Sequence, residues 1–289
     1  MIEMQIGFIG QGWIGKNYAD NFEKRGFKVV RYALESQYRD NKDIIKECEI
    51  VFVAVPTPTT TKGFNYEAVT SALQIISAGS TVVIKSTLLP GTTYKLQNDF
   101  PNLFILHSPE FLREKSAAHD AANPDRNIIG IPKNTDEHLK RAREVIAILP
   151  KATFNKVMDS QEAELVKYAG NCFLYTKVTF MNMIYDLSKS MGADWETIRE
   201  AMIMDSRIGE SHTSPIHMSG HVENGDYKEQ RGAGGHCFIK DFEALKILYR
   251  DSIGTDEGYE LLHSNTTYNL KLLKDSNKDL DIIRQVYGD

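Results

Sequence analysis

Two rhythms of apolar residues divide the chain. In the first half, short runs recur at Gln5–Ile9, Lys28–Ala33, Ile50–Val55, Thr81–Lys85, Leu103–His107 and Asn127–Ile131. Most are rich in Val, Ile and Phe and too short for helices, so they predict buried strands. Amphipathic stretches lie between them at Asn17–Arg25, Tyr66–Ser77 and Glu137–Leu149. Strand–helix alternation predicts an α/β fold on a doubly wound parallel sheet. From Ser160 to Met191 the rhythm turns helical: Leu165, Val166, Ala169, Phe173, Leu174, Val178, Met181, Ile184 and Leu187 recur near the 3.6-residue period. So long a helix must bury its apolar stripes on other helices or on a second subunit. Trp195–Met204, Cys237–Arg250 and Tyr259–Lys274 predict further helices. Ser206–Gly235 reads as a polar, Gly/Pro-punctuated loop, and the charged tail after Lys274 is expected on the surface. The expected organisation is a Rossmann domain over 1–158 and an all-helical domain over 159–289.

Composition narrows the function. The formal charge is 34 − 39 = −5, which argues against a sequence-independent nucleic-acid binder. No apolar run reaches the roughly 18 residues of a membrane span, and the acidic start lacks the basic and apolar parts of a secretory signal. Cys48, Cys172 and Cys237 match no zinc spacing, so no metal site is expected. A reducing, cytoplasmic setting is the simplest reading.

Gly10-Gln11-Gly12-Trp13-Ile14-Gly15 is a G-x-G-x-x-G motif between a strand and a helix in the first βαβ unit. Gly10 permits the tight turn, Gly12 lets backbone approach a pyrophosphate, and Gly15 allows close helix–strand packing. The N–H groups of the helix start, from Trp13 and Ile14 on, then face the anion. The acidic residue that grips the adenosine ribose belongs at the end of the second strand, where Ala33 stands; Glu35, two residues on, is the substitute or an ordinary surface carboxylate. Arg31 and Arg39 lie near enough to accept a 2′-phosphate, so NAD is favoured over NADP without NADP being removed.

Two further constellations carry chemistry. In Gly232-Ala233-Gly234-Gly235-His236-Cys237-Phe238-Ile239-Lys240-Asp241, a Gly-rich turn delivers a cysteine to the start of a helix. The helix N-terminus and Lys240 would favour a nucleophilic thiolate, and Asp241 shares the face of Cys237. A lone cysteine is usually a small core hydrophobe, the reading given to Cys48 and Cys172. Lys167 and Asn171, at i, i+4 on the long helix, can polarise a hydroxyl and hold an oxyanion. Taken alone, Lys167 reads as a solvated helix lysine.

With these residues assembled, the chain resembles the UDP-glucose/GDP-mannose (nucleotide-sugar) dehydrogenase family over nearly its whole length. The matching motifs, in family order, are the glycine fingerprint, Val55-Pro56-Thr57-Pro58, Lys85-Ser86-Thr87 with Pro90-Gly91-Thr92, and Ser108-Pro109-Glu110-Phe111-Leu112-Arg113-Glu114. Glu164-Leu165-Val166-Lys167 with Asn171, Asp205-Ser206-Arg207-Ile208-Gly209 and the cysteine motif follow. The resemblance implies an NAD-dependent four-electron oxidation of a sugar C6 alcohol to a carboxylate. Cys237 would be the nucleophile, forming a thiohemiacetal and then a thioester. Glu110 would serve thioester hydrolysis, and Thr87, Lys167, Asn171 and Asp241 would form the polar network around the alcohol and oxyanion. Phe111, Leu112, Gly234 and Lys240 would meet substrate. Gly10, Gly12, Trp13, Ile14, Gly15, Glu35, Thr57, Ser86 and Glu114 would hold NAD. Arg207 would reach substrate across a homodimer interface built on the long helix.

The chain departs from the family pattern in places. Ala233 stands where an aromatic is usual, His236 where serine is common and Ile239 where proline is common. The family's third, C-terminal nucleotide-binding domain has no counterpart before Asp289. A separate subunit could supply it, the substrate could be held differently, or the loop Glu210–Arg231, with His212, His217, His221, Lys228 and Arg231, could meet a pyrophosphate. Two other functions stay open: a two-electron hydroxyacid/6-phosphogluconate-type dehydrogenase, which would not need Cys237, and a non-catalytic NAD-binding partner subunit.

Overall fold

The computed structural model describes residues 2–217 and 230–288, the side chains of Ile2, Glu3, Glu114 and His217 excepted. The chain divides into two compact units. Unit 1 holds Met1–Pro58 and Asn65–Lys167; unit 2 holds Thr59–Phe64 and Tyr168–Asp289. The break thus falls inside the long helix, against the sequence expectation of 158/159, and the Thr59–Phe64 hairpin joins unit 2.

Unit 1 is built on β1 (Ile2–Ile9), β2 (Phe27–Tyr32), β3 (Ile50–Val53), β4 (Thr81–Ile84), β5 (Phe104–His107), β6 (Arg126–Ile131) and β7 (Phe154–Asp159). They form one sheet in the order β2-β1-β3-β4-β5-β6-β7. Every neighbouring pair is parallel except β5 and β6, which meet antiparallel through His107 and Gly130, so the sheet is not wholly parallel as expected. The unforeseen β7 is an edge strand of exposed and half-buried residues, which leaves no continuous apolar run to read. The β3 and β4 residues are buried throughout, as suits central strands with both faces covered. Phe8 stacks on Phe52 at 4.9 Å, and Phe22 from α1 (Trp13–Lys24) meets Phe8 edge-on at 5.4 Å. Further helices in this unit are α2 (Glu67–Leu73), α3 (Thr92–Asp99) and α4 (Asp136–Ile148). Strand order reverses at β1, with β2 on one side and β3 on the other. Open α/β sheets bind ligands at the carboxyl ends of the strands at such a reversal.

The long helix α5 spans Ser160–Ser190. In unit 2 it is followed by α6 (Trp195–Ile203), α7 (His236–Ser252), α8 (Glu257–Asp275) and α9 (Leu280–Tyr287). Tyr175 of α5 stacks on Phe242 of α7 with ring centroids 3.9 Å apart. The expectation of a surface tail after Lys274 is overturned: Ile282, Ile283 and Val286 of α9 are buried in a cluster with Ile239 and Leu273. The exposed charges of α9, Asp281 and Arg284, lie on one side of a short amphipathic helix, which a reading by composition averages away. Within the polar loop, Ile216–His217 pairs antiparallel with Gln230–Arg231, while His221 and Lys228 lie outside the described residues. Among the described residues no helix is long and apolar enough to cross a membrane.

Candidate active site

The glycine fingerprint sits at the carboxyl end of β1, and steric demand explains its three glycines differently. Gly10 has φ +89°, and a Cβ there would lie 2.2 Å from the Ala54 carbonyl oxygen. A Cβ on Gly15 would lie 2.0 Å from the Gly10 carbonyl oxygen. Both glycines are therefore required by the fold itself. A Cβ on Gly12 would meet nothing within 4 Å. Gly12 is the N-cap of α1, so open space lies over the N–H groups of the first turn, Trp13 and Ile14 among them. That is the space a pyrophosphate needs, and the cradle fits a dinucleotide.

The loops after β3 and β4 border the same end of the sheet and lock together. Ser86 Oγ donates to the Val55 carbonyl at 2.7 Å and accepts the Val55 N–H at 2.9 Å. Thr57 Oγ1 donates to the Thr87 carbonyl at 2.8 Å. Thr57, Ser86 and Thr87 are buried, so the hydroxyls of Thr57 and Ser86 brace loops. Ala33 is buried at the end of β2, and Glu35, exposed, is the N-cap of the single turn Ser36–Arg39 without a side-chain capping bond. Arg31 is paired with Asp20 and Glu23 at 2.7 Å each, and Arg39 donates to the Leu34 carbonyl at 2.6 and 2.9 Å. The charge of Arg31 is thus already balanced, which removes it as a receptor for a 2′-phosphate. Glu114 opens a 3₁₀ turn, Glu114–Ser116.

Glu110 and Lys167 form the charged centre of unit 1. They are 4% and 5% exposed, so neither is a solvated side chain. Lys167 Nζ donates at 2.8 Å both to Glu110 Oε1 and to the Glu110 carbonyl, while the Leu112 N–H donates to Oε2 at 2.8 Å. Burial pushes the Glu110 carboxyl up, but the charge and hydrogen bond of Lys167 outweigh it and hold the group below its ordinary value. The Phe111 ring lies under the Arg126 guanidinium at 3.7 Å and 5.7 Å from Lys167 Nζ. Leu112 packs against the core.

A second buried lysine opens the Lys85-Ser86-Thr87 motif, where the sequence assigns it no role of its own. Lys85 donates to Ser108 Oγ at 3.1 Å and lies 4.3 Å over the Tyr18 ring. Burial pushes its pKa down to about 7 against the pull of Glu110. A lysine ending an otherwise apolar strand was the signal available. Glu164, part of a recognised motif, accepts from Gly91 N, Thr93 N and Thr93 Oγ1 at 2.5–2.8 Å, and so caps the start of α3.

In unit 2, Cys237 is exposed on the first turn of α7, whereas Cys48 and Cys172 are buried and burial raises both their thiols. Asp241, one turn on and fully buried, has both oxygens engaged: Asn171 Nδ2 donates to Oδ2 at 2.7 Å and Lys240 Nζ to Oδ1 at 2.5 Å. Lys240 is therefore neutralised by Asp241, which weakens the expected influence of its charge on the thiol. A Cβ on Gly234 would lie 2.1 Å from Asp279 Oδ2, so the turn before the cysteine packs tightly on the start of α9.

Arg207 is 88% exposed in its side chain and makes a two-pronged pair with Asp205, NH2 to Oδ2 at 2.6 Å. Lys177 of α5 holds the turn that carries it, donating to the carbonyls of Ile208, Gly209 and Ser211 at 2.8, 3.2 and 2.5 Å. In the polar loop, His212 (φ +60°) sits 5.6 Å from the Phe238 ring. Arg231 pairs with Asp186 at 2.8 Å and donates to Asn182 Oδ1 at 2.9 Å. Its charge is thereby committed within unit 2 and does not await a pyrophosphate.

Comparison with known proteins agrees with this architecture. Residues 31–149 match the NAD binding domain of the UDP-glucose/GDP-mannose dehydrogenase family, and residues 161–269 match its central domain. A UDP-glucose 6-dehydrogenase of Rickettsia felis is 30% identical over 239 residues, covering 79% of this chain and 49% of the relative. The chain thus spans about half the length of that relative. The structure of a UDP-glucose dehydrogenase from Pyrobaculum islandicum superposes with a TM-score of 0.74 at 26% identity, covering 92% of this chain and 68% of that one. A 3-hydroxyisobutyrate dehydrogenase of Mycobacterium tuberculosis, at 16% identity and a TM-score of 0.69 over 98% of both chains, shares the fold. The chain belongs to the UDP-glucose/GDP-mannose dehydrogenase family.

Proposed function

We propose that this chain oxidises the C6 alcohol of a nucleotide sugar to a carboxylate with NAD, and that UDP-glucose is the first substrate to test. The observation that carries the reading is the 2.7 Å bond from Asn171 to Asp241. It ties the helix of the lysine/asparagine pair to the helix of the cysteine, two motifs that are 70 residues apart in sequence. Cys237 stands one turn before Asp241, so the asparagine and the cysteine fall on two braced helices of unit 2.

Gly10, Gly12 and Gly15, with the N–H groups of the α1 start, would hold the dinucleotide, and the loops braced by Thr57 and Ser86 would border it. NAD held there would supply the hydride acceptor for two successive oxidations, so one sugar would consume two NAD and one water and yield one carboxylate, two NADH and three protons. The chain's own groups handle the rest. Lys167 and Asn171 donate to the C6 oxygen and stabilise its developing negative charge. The Cys237 thiolate adds to the C6 aldehyde, forming a carbon–sulfur bond that retains the intermediate as a thiohemiacetal and then a thioester. Glu110, kept ionised by Lys167, takes a proton from the water that attacks the thioester, and the carbon–sulfur bond breaks to return the thiolate. Thr87 and Asp241 complete the polar network. Phe111, Leu112, Gly234 and Lys240 are the residues this reading assigns to substrate.

The active form we infer is a homodimer. Phe173, Phe180 and Leu187 are 69%, 46% and 54% exposed at seven-residue intervals on α5, an apolar stripe suited to a second copy. Arg207, exposed on a turn fixed by Lys177, would serve the neighbouring subunit's substrate. A separate subunit could supply further nucleotide contacts. Three cysteines without a matching bridge pattern suit a reducing compartment such as the cytoplasm.

Replacement Cys237→Ser tests the reading. It should leave NAD binding intact and abolish acid formation from UDP-glucose. An unchanged acid yield would remove the cysteine from the mechanism.

A further inference from the structure

The turn that delivers Cys237 is poor in intrinsic rigidity. Three of the four residues Gly232-Ala233-Gly234-Gly235 are glycines, with Gly232 at φ +94° and Gly235 at φ +87°. Glycine loses more backbone freedom on ordering than any other residue, so such a turn holds one shape only if something outside it imposes that shape.

Something does, and it comes from α8 and the start of α9. Asn269 reads Ala233 from both sides: the Ala233 N–H donates to its Oδ1 at 2.8 Å and its Nδ2 donates to the Ala233 carbonyl at 2.9 Å. Lys278 Nζ donates to the carbonyls of Gln230 and Gly232 at 3.1 and 3.0 Å. Asp279 Oδ2 accepts the Gly235 N–H at 2.7 Å. All three side chains are buried, at 1%, 2% and 5% exposure, so these bonds are shielded from competing water. Asp279 is the N-cap of α9 and has φ +52°, a left-handed conformation uncommon outside glycine, and Asn277 has φ +53°. Asparagine and aspartate are the non-glycine residues that adopt this conformation most readily, and here it brings Lys278 and Asp279 to the turn. The fit leaves no slack, because a Cβ on Gly234 would also lie 2.6 Å from Lys278 Cε.

We propose that Asn269, Lys278 and Asp279 are positioning residues for Cys237: they clamp the Gly232–Gly235 turn and so fix where α7 begins and where the thiol stands on its first turn. They act through the backbone of the turn, by their bonds to Gln230, Gly232, Ala233 and Gly235. Gly235 is the N-cap of α7, so its anchoring by Asp279 decides whether the first-turn N–H groups face the thiolate. The turnover arm of the test rests on the proposed role of Cys237; the chemical arm does not.

The chemical arm uses iodoacetamide on the full chain, with peptide mapping. Cys48 and Cys172 are buried, so the folded protein reports Cys237. Asp279→Ala should move the pH profile of Cys237 alkylation to higher pH, slowing it roughly threefold at pH 7 as the first turn loosens. Asp279→Asn keeps an oxygen for the Gly235 N–H and should restore the original profile. Lys278→Met, which removes the Gln230 and Gly232 contacts, should shift the profile in the same direction and replaces Asp279→Ala if that variant does not fold. In the turnover arm, with UDP-glucose and NAD, Asp279→Ala should lower kcat roughly ten- to a hundredfold while KM for NAD stays within about twofold. An alkylation profile that coincides with that of the unaltered chain, in a folded variant, overturns the clamp. If the unaltered chain fails to oxidise UDP-glucose, the proposed function fails for that substrate, and the alkylation profile still decides the clamp.

Discussion

Lys167 and Glu110 are 57 residues apart in sequence and joined by two 2.8 Å hydrogen bonds, one to the carboxylate and one to the backbone carbonyl of the same residue. Such an arrangement fixes the glutamate as a residue, not only as a charge. Removing one partner strands the other in a buried site. Lys167→Met should therefore cost roughly 3–5 kcal/mol in urea denaturation, and Lys167→Met with Glu110→Gln less than the sum of the single changes.

The same pair sets an acid limit. The folded carboxyl lies below the ordinary value of 4.5, so ionised Glu110 stabilises the fold above that pH. The contribution is lost as pH falls from about 4.5 through the folded value. Unfolding free energy measured against pH should decline in that window for the unaltered chain and decline less for the Lys167→Met/Glu110→Gln pair. Parallel curves would mean that the pair does not contribute to acid sensitivity.

The three fingerprint glycines should separate by experiment. Gly10→Ala and Gly15→Ala force a methyl against backbone oxygen and should lower stability by roughly 1–3 kcal/mol. Gly12→Ala adds its methyl to open space, so its melting temperature should hold. Its NAD affinity should fall about tenfold, near 1.4 kcal/mol, by calorimetric titration. Equal loss of stability in all three would contradict the assignment of the space over Gly12 to a ligand.

The apolar stripe of α5 predicts association. Light scattering should return twice the mass of 32.7 kDa, and Phe180→Glu should return the monomer mass. A monomer before any substitution would remove the partner-supplied role of Arg207.

Much of this architecture is legible in the sequence because buried strands and a long periodic helix write their burial into residue type. The limits of α5 come within one residue of the periodicity reading, since each of its turns repeats the same demand. β7 was invisible because an edge strand alternates too little apolar character to register. Helix α9 was hidden by the charges of its outer side, although Leu280, Ile283 and Tyr287 already had helical spacing. Residue identity alone singles out Cys237, Lys167 and Asn171 as candidates. Distant partnerships did not show: Arg231 read as cationic, and only the fold brings Asp186 beside it. Long-range pairing has no local signature, and for the same reason Lys278 and Asp279 looked like tail residues.

Counting NADH formed per UDP-glucose consumed, with excess NAD and purified protein, bears most directly on the thiol-based oxidation. Two NADH per sugar, with the uronate as product, is the expected result. One NADH per sugar with aldehyde or ketone accumulating, or no turnover across UDP- and GDP-sugars, would contradict it.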